Sequence, residues 1–285
     1  MTRPAKTAFD YTAVGHVTID VLADGSRRPG GTAFYGALQA ARLGRRALIL
    51  TQGVAGEIEE LLEPFAGEFE LEIRPANHTT TLLTVGSGLV RRQRLLAWAG
   101  PIEEPVNIDS AVLHLAPIAR ETPGRFAGRT DFVGLTPQGL VREWTAADGE
   151  IALMGLTGEA LAGVPERCEA IVLSDRELPT CAGLLATAVQ NGAIAAVTAE
   201  SAPTRLLLPD DRGLAIDVPA VENPSDDLGA GDVFAAAFFL TLAEGRAPAD
   251  AAAFATAAAA VRISGSGAAA IGTLAAIEER LRAVA

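Results

Sequence analysis

Short runs of Val, Ile and Leu recur along the chain, each bounded by Gly, Pro or Asp and generally followed by an amphipathic stretch with helical spacing. The runs that qualify as strands are Thr12–Val17, Ala47–Thr51, Val112–Leu115, Phe132–Leu135, Ile171–Leu173 and Ile194–Thr198. Helical spacing covers Ala33–Leu43, Glu57–Ala66, Pro179–Gln190, Asp232–Ala243, Pro248–Ile263 and Thr273–Val284. Strands that are apolar nearly throughout suit a sheet covered on both faces, since a half-exposed strand alternates instead. The pattern predicts a three-layer α/β fold with a mostly parallel central sheet and helices on both faces. Two segments break the rhythm: Ile19–Ala23, leading into glycine-rich turns, and Thr79–Val85 with Arg91–Trp98 about the Gly86-Ser87-Gly88 turn. They predict a small antiparallel β lid, near residues 19–31 and 79–98. No repeat, linker or low-complexity tract divides the chain, so residues 1–285 read as a single domain.

Composition narrows the chemistry. A chain of 285 residues that is 49% hydrophobic can bury a sizeable core. Its 35 acidic against 23 basic residues leave a net charge of -12, a field that repels nucleic acid and anionic membranes, so neither is expected as a partner. Only Cys168 and Cys181 are present, which excludes a four-cysteine zinc site and a disulfide framework, leaves a single bridge open, and fits a cytoplasmic enzyme. The N-terminal MTRPAKTAFDY lacks the apolar stretch of a signal peptide, and no apolar run is long enough to span a bilayer. The single lysine, Lys6, sits in what reads as a frayed N-terminal arm, so a P-loop lysine, a Schiff-base lysine and a Ser/Lys dyad are ruled out.

The sharpest motif is Asp226-Asp227-Leu228-Gly229-Ala230-Gly231-Asp232, followed at once by an apolar helical run. Gly229 and Gly231 free the backbone to present successive N–H groups to an anion, and Asp232 falls in the first helical turn. A carboxylate there can take a proton from a hydroxyl that attacks a phosphoryl group, with the helix dipole keeping it ionised at neutral pH. Taken alone, the same residues also describe a glycine-rich turn capped by a helix-starting Asp.

The segment resembles the D-x-x-G-A-G-D signature of the ribokinase family, also called the PfkB carbohydrate kinases, and further landmarks follow in that family's order. Gly15-His16-Val17-Thr18-Ile19-Asp20 is similar to a first strand ending in a substrate-binding aspartate. Gly30-Gly31, opening the helix that ends in Arg42-Leu43-Gly44, is similar to the paired-glycine motif. Leu173-Ser174-Asp175-Arg176-Glu177 resembles the N-x-x-E segment, and Ala252–Ile263 running into Ser264-Gly265-Ser266-Gly267-Ala268 resembles the part that packs on the nucleotide base.

The resemblance implies an ATP- and magnesium-dependent kinase acting on a hydroxyl of a small polyol: a sugar, a cyclitol such as inositol, or a nucleoside. Asp232 would be the general base, and the amides about Gly229, Ala230 and Gly231 the anion hole. Asp20, Gly30 and Gly31, with His16, Tyr35, Gln138 and Arg142, would hold the substrate. Ser174, Thr198, Gly265 and Gly267 would meet the nucleotide, and Glu177 would act through magnesium and its waters. The lid would exclude water, and a homodimer through it is a further expectation.

Several positions depart from the family's pattern. Ser174 stands in place of Asn, and Thr198-Ala199-Glu200-Ser201-Ala202-Pro203 keeps only the threonine of the T-x-G-x-x-G nucleotide loop, with Glu200 unfavourably close to a polyphosphate. Tyr35 replaces the Asn of many sugar kinases, and this, with Gly134–Arg142, is similar to branches that include inositol kinases. The weakened loop leaves an alternative, a catalytically weak relative that binds a polyol or nucleoside. Gly265–Ala270 matches G-x-G-x-x-A but follows a helix, which argues against a dinucleotide site. His16, His78 and His114 share no metal spacing and read as core or hydrogen-bonding residues. Arg91, Arg92 and Arg94 read as a solvated strand edge that, on a lid, could also reach an anionic substrate.

Overall fold

The computed structural model describes residues 7–283; Lys6 and Val284, the expected end of the last helix, lie outside them. The first half carries β1 (Phe9–Val14), β2 (Thr18–Leu22), β3 (Arg27–Gly30), α1 (Thr32–Arg42), β4 (Ala47–Gly53), α2 (Ala55–Leu62), β5 (Glu70–Pro75), β6 (Thr81–Val85), β7 (Arg92–Ala97), β8 (Asn107–Leu115) and β9 (Ala127–Leu135). A 3₁₀ turn at Pro137–Val141 leads into β10 (Arg142–Trp144) and β11 (Ile151–Leu153). Then come α3 (Glu159–Ala162), β12 (Ala170–Ser174), α4 (Leu178–Gln190), β13 (Ile194–Ala199), β14 (Ala202–Leu207), β15 (Gly213–Ile216), α5 (Ala230–Ala243), α6 (Pro248–Ile263) and α7 (Leu274–Arg282).

Nine strands form one sheet in the order β15-β14-β13-β12-β9-β8-β1-β4-β5, all running the same way except β14, which is antiparallel to both its neighbours near one edge. The three layers predicted from the strand pattern are present. Tyr11 and Ala13 of β1 pack into a core with α1, α5 and α6, while Val14 faces the other core, which α4 covers through Cys181 and Leu185. Residues 233–241 of α5 are all buried, as an apolar helix against the sheet must be. Cys168 and Cys181 are both free thiols, so the bridge left open by the sequence does not form. Among the described residues, no helix is long and apolar enough to cross a membrane.

Three features differ from the sequence expectation. The first strand ends at Val14 and not at Val17, because a Cβ at Gly15 would lie 2.2 Å from the Ala116 carbonyl oxygen and the chain turns away there. Strands β5, β14 and β15 were not expected; their half-exposed, partly polar sequences carry too little apolar signal. The lid sheet, ordered β3-β2-β6-β7, is not wholly antiparallel: β2–β3 and β6–β7 are antiparallel hairpins, joined by a parallel β2–β6 pairing that starts at Ile19 and Thr81. The β10–β11 hairpin then reaches the lid's free edge, where the Leu95 amide donates to the Gly149 carbonyl at 2.8 Å and Trp144 and Ile151 pack on Leu82 and Leu95.

The chain passes between core and lid at His16, at Thr80 and at Ala99, and one polar cluster joins the three crossings. The Thr80 hydroxyl accepts from the Ala99 amide at 3.0 Å and shares a 2.8 Å hydrogen bond with His16 Nδ1. Beneath it the buried Glu121 carboxylate accepts from the amides of His16 (2.8 Å), Ile118 (2.9 Å) and Ala119 (2.6 Å). Glu121→Ala would leave those donors buried without an acceptor, and a loss of about 3–5 kcal/mol in urea unfolding is expected, with Glu121→Gln recovering part of it. A loss under about 1 kcal/mol would show that the cluster does not hold the crossing.

Candidate active site

The Asp226–Asp232 turn enters α5 through Gly229, which is left-handed (φ 78°) and whose Cβ would strike the Tyr35 ring at 2.4 Å. Only glycine satisfies both constraints. The turn is fixed by Asp226. Its Oδ1 accepts from the Leu228 amide at 3.0 Å, and its Oδ2 from Arg28 (2.7 Å), Gly267 N (3.1 Å) and Arg262 (3.2 Å). Burial pushes this carboxyl up, but the two amides and Arg262 outweigh it and hold the group below its usual range. Of the three amides expected to face an anion, that of Ala230 leans to the Asp227 carbonyl at 3.2 Å, whereas Gly231 fronts open space.

Asp232 stands in the first turn of α5. Burial raises its carboxyl to about 6; Thr32 and Arg142 pull it down, and Glu177 and Asp20 push it up. The Thr32 hydroxyl is outside hydrogen-bonding geometry, so Arg142 is the stronger restraint. Asp232 is therefore ionised at neutral pH by a margin of only about one pH unit, with Arg142 and not the helix dipole as the restraint.

Asp20 is 4% exposed and burial pushes it up to about 6 as well, against a 2.8 Å hydrogen bond from the Thr18 hydroxyl and the charges of Arg142, Arg28 and Arg91. Of the paired glycines, Gly30 makes room for this carboxylate and Gly31 for the backbone at His16. A Cβ on Gly30 would fall 2.3 Å from Asp20 Oδ2, and one on Gly31 (φ 93°) 2.2 Å from the His16 carbonyl. Arg142 is buried, donates to the Ile118 carbonyl (3.1 Å) and to Gln93 Oε1 of the lid (2.8 Å), and its charge is coupled to Glu177, Asp232, Asp20 and Glu121. Asp20, Asp232, Glu177 and Arg142 thus share one electrostatic neighbourhood.

The other expected residues divide. Tyr35 is 3% exposed and forms the floor under Gly229, its ring 5.7 Å from the Arg262 guanidinium. Gln138 is half-buried on the 3₁₀ turn before Arg142. His16 was expected to touch substrate, but it is fully buried at the lid crossing, where Thr80 holds its ring and Glu121 its amide. Ser174 and Thr198 lie side by side in register at the ends of β12 and β13, and Glu177 is buried with Oε2 accepting the Ser174 amide at 2.8 Å. Gly265 and Gly267 do reach the signature turn, yet their backbone groups are taken, the Gly265 carbonyl by Arg262 and the Gly267 amide by Asp226. The Thr198–Pro203 segment forms no loop: Ala199 pairs with Ala202 across a tight turn in which Glu200 is left-handed (φ 46°).

Among the described residues, no group of three or more His, Cys, Asp or Glu could cage an ion. The single buried carboxylate of Glu177 fits the looser mode in which magnesium keeps its waters and leans on substrate phosphates. Of the remaining histidines, His114 lies in the core between Tyr11 (2.5 Å) and Thr136 (3.0 Å), while His78 is exposed, against its expected role.

Sequence reasoning missed Arg262. Arg262 is completely buried in an Ala-rich helix and donates to the carbonyls of Leu228 (2.6 Å) and Asp226 (3.2 Å), and nothing in its sequence context marks it. Arg91 turns inward to pair with Asp227, while Arg92 and Arg94 stay on the outer face.

The family model described as pfkB family carbohydrate kinase matches residues 164–274. No curated protein sequence matches the chain. Among solved structures, a pyrophosphate-dependent kinase in the ribokinase family, complexed with a pyrophosphate analog and myo-inositol, superposes with a TM-score of 0.73 at 21% identity, covering 96% of this chain and 99% of its own. Ribokinase of Arabidopsis thaliana, complexed with ribose and ATP, gives 0.71 at 17% identity, covering 96% and 99%. The nucleoside kinase of Methanocaldococcus jannaschii gives 0.71 at 16%, covering 98% and 100%. At these identities the structures establish the fold, which is the ribokinase fold. The resemblance read from the sequence is borne out, and the family match and the fold together support a carbohydrate kinase.

The raised Asp20 carboxyl carries a stability consequence. A carboxyl lifted from its ordinary 3.8 to about 6 costs folding energy wherever it is ionised in the native state, about 3 kcal/mol at pH 7.5, and nothing once both states are protonated. Asp20→Asn should raise stability in urea unfolding at pH 7.5, with the gain fading as pH falls from about 6 and nearly gone by about 4. An equal gain at both pH values would contradict the assignment.

Proposed function

We propose that this chain, with its ribokinase fold and its pfkB-family match, transfers a phosphoryl group from a phosphoanhydride donor to a hydroxyl of a small polyol, a sugar, a cyclitol such as inositol or a nucleoside. The observation that carries this reading is Asp232, a carboxylate poised near 6 in the first turn after the Gly229–Gly231 anion turn, with Asp20 and Arg142 in the same electrostatic neighbourhood. Asp20 accepts hydroxyl protons of the polyol and orients it, because a buried carboxylate has few competing donors. Asp232 takes the proton of the attacking hydroxyl. The Gly231 side of the turn, the α5 dipole and Arg142 meet the charge on the transferring phosphoryl group. The lid, closed over the groove through Gln93 and Arg91, excludes water that would otherwise accept the phosphoryl group.

ATP and magnesium are the donor and ion that the resemblance implies. Ser174 and Thr198, in register on β12 and β13, would face the donor, and Glu177 would hold magnesium through water. When bound, the ion would neutralise charge on the donor's phosphates. A homodimer through the lid would use the β3 edge, since β7 is already met by its own chain at Glu150. The free thiols of Cys168 and Cys181 are consistent with a cytoplasmic setting.

The tight turn at Glu200 favours a second reading, a polyol- or nucleoside-binding protein with little turnover. A screen of sugars, inositols and nucleosides by ³¹P NMR separates the two. On the best acceptor, Asp232→Asn should lose about 10²–10⁴ in kcat while acceptor binding survives, and wild-type log kcat/KM should fall below pH about 6 with a slope steeper than one, because Asp20 and Asp232 both protonate there. Acceptor binding without transfer would favour the second reading, and wild-type turnover in Asp232→Asn would remove the base.

A further inference from the structure

Resting on the reading of this site as a phosphoryl-transfer centre, we propose that its donor is inorganic pyrophosphate and not a nucleoside triphosphate. The donor half of the groove is bordered by the Asp226–Asp232 turn, by the β12–α4 turn and by the β13–β14 turn, and one lid residue bridges all three. The Gly88 amide donates to Asp227 Oδ2 at 2.9 Å, its carbonyl accepts from Arg176 Nη1 at 3.2 Å, and the Glu200 carboxylate stands 3.6 Å from where its Cβ would be. The closed lid therefore occupies the path along which the outer phosphates and ribose of a nucleotide would leave the transfer point.

The surfaces that would hold a nucleoside are also spent. The turn at Glu200 and Ser201 contains no glycine and its flanking residues pair with each other, so it offers no run of free amides. Gly265 folds against Ala270, where a Cβ would lie 2.7 Å from the alanine side chain, and the groups of Gly265 and Gly267 answer to Arg262 and Asp226. The sequence beyond Phe254 contains no Phe, Tyr or Trp on which a base could stack.

What the groove does offer suits a small, dense anion. Arg142 comes from the core, Arg91 from the lid and Arg176 from the β12–α4 turn, and each guanidinium is a planar fork matched to phosphate oxygens. Arg91 Nε is buried and bonded to nothing, although its neighbouring Nη2 pairs with Asp227. Pyrophosphate concentrates its charge in two phosphoryl groups, one at the anion turn and one among Arg91 and Arg176. In the transfer the acceptor oxygen forms the new P–O bond, the bridging P–O bond breaks, its electron pair leaves with orthophosphate, and the hydroxyl proton passes to Asp232.

Calorimetric titration of the full chain with sodium pyrophosphate and with ATP, each with magnesium at low salt, tests this without any acceptor. Pyrophosphate should bind at least about 100-fold more tightly than ATP, and Arg91→Gln and Arg176→Gln should each weaken it about tenfold or more at unchanged melting temperature, with Arg91→Lys recovering part of the loss. ATP binding as tightly as pyrophosphate would overturn the donor assignment while leaving the kinase reading intact. Tight pyrophosphate binding with no transfer to any polyol would contradict the kinase reading and with it the donor role, leaving a pyrophosphate-binding site alone, and a chain that binds neither anion would overturn the site as well.

Discussion

The site depends on one carboxylate that does no chemistry. Asp226 receives hydrogen bonds from the signature turn at Leu228, from the loop beyond α6 at Gly267, from the buried Arg262 and from Arg28 of lid strand β3. Turn, helix end and lid therefore meet on a single side chain. Arg262, with no exposure to solvent, would be intolerable in an Ala-rich helix without it, and it repays the ion pair by tying down the Leu228 and Asp226 carbonyls. Gly229 can then take its left-handed conformation over the Tyr35 ring and point the start of α5 into the groove.

Around that fixed turn the acids and arginines set one another's ionisation. Burial lifts Asp20 and Asp232 alike to about 6, and Asp20 pushes Asp232 up further, while Arg142 restrains both. A base with so narrow a margin at neutral pH transfers protons in either direction easily, which suits a step in which a hydroxyl proton must leave as the phosphoryl bond forms. The arrangement costs native stability, and the fold tolerates it because two apolar cores flank the sheet and Glu121 locks the lid crossing.

Much of this was legible in the sequence, for reasons visible in particular residues. The parallel strands of the central core announce themselves because they are buried on both faces, and Pro248–Ile263 is bounded as expected because Pro248 opens it and Ser264 with Gly265 closes it. Motif spacing singles out Asp232, Asp20 and the paired glycines, and the stretch that precedes it singles out Arg142, as candidates that the structure then brings into one electrostatic neighbourhood. Strands β14 and β15 were not legible, since edge strands with half-exposed polar residues lack periodicity. His16 misled because a strand-end histidine four residues before an aspartate looks like a ligand contact, whereas the β1–β2 corner turns its ring into the lid crossing. Arg262, Arg176 and Gly88 act through partners far away in sequence, and no local pattern reports such pairing.

The account stands on Asp226 holding the anion turn in its working shape, and the affinity of the turn for a bare anion measures that directly. Orthophosphate titrated into the wild-type chain and into Asp226→Asn, each verified as folded by its melting curve, should bind at least about tenfold more weakly to the variant, the cost of about one charge-assisted hydrogen bond. Undiminished orthophosphate affinity in a folded Asp226→Asn chain would contradict the account, because the turn would then keep its shape without the carboxylate said to impose it.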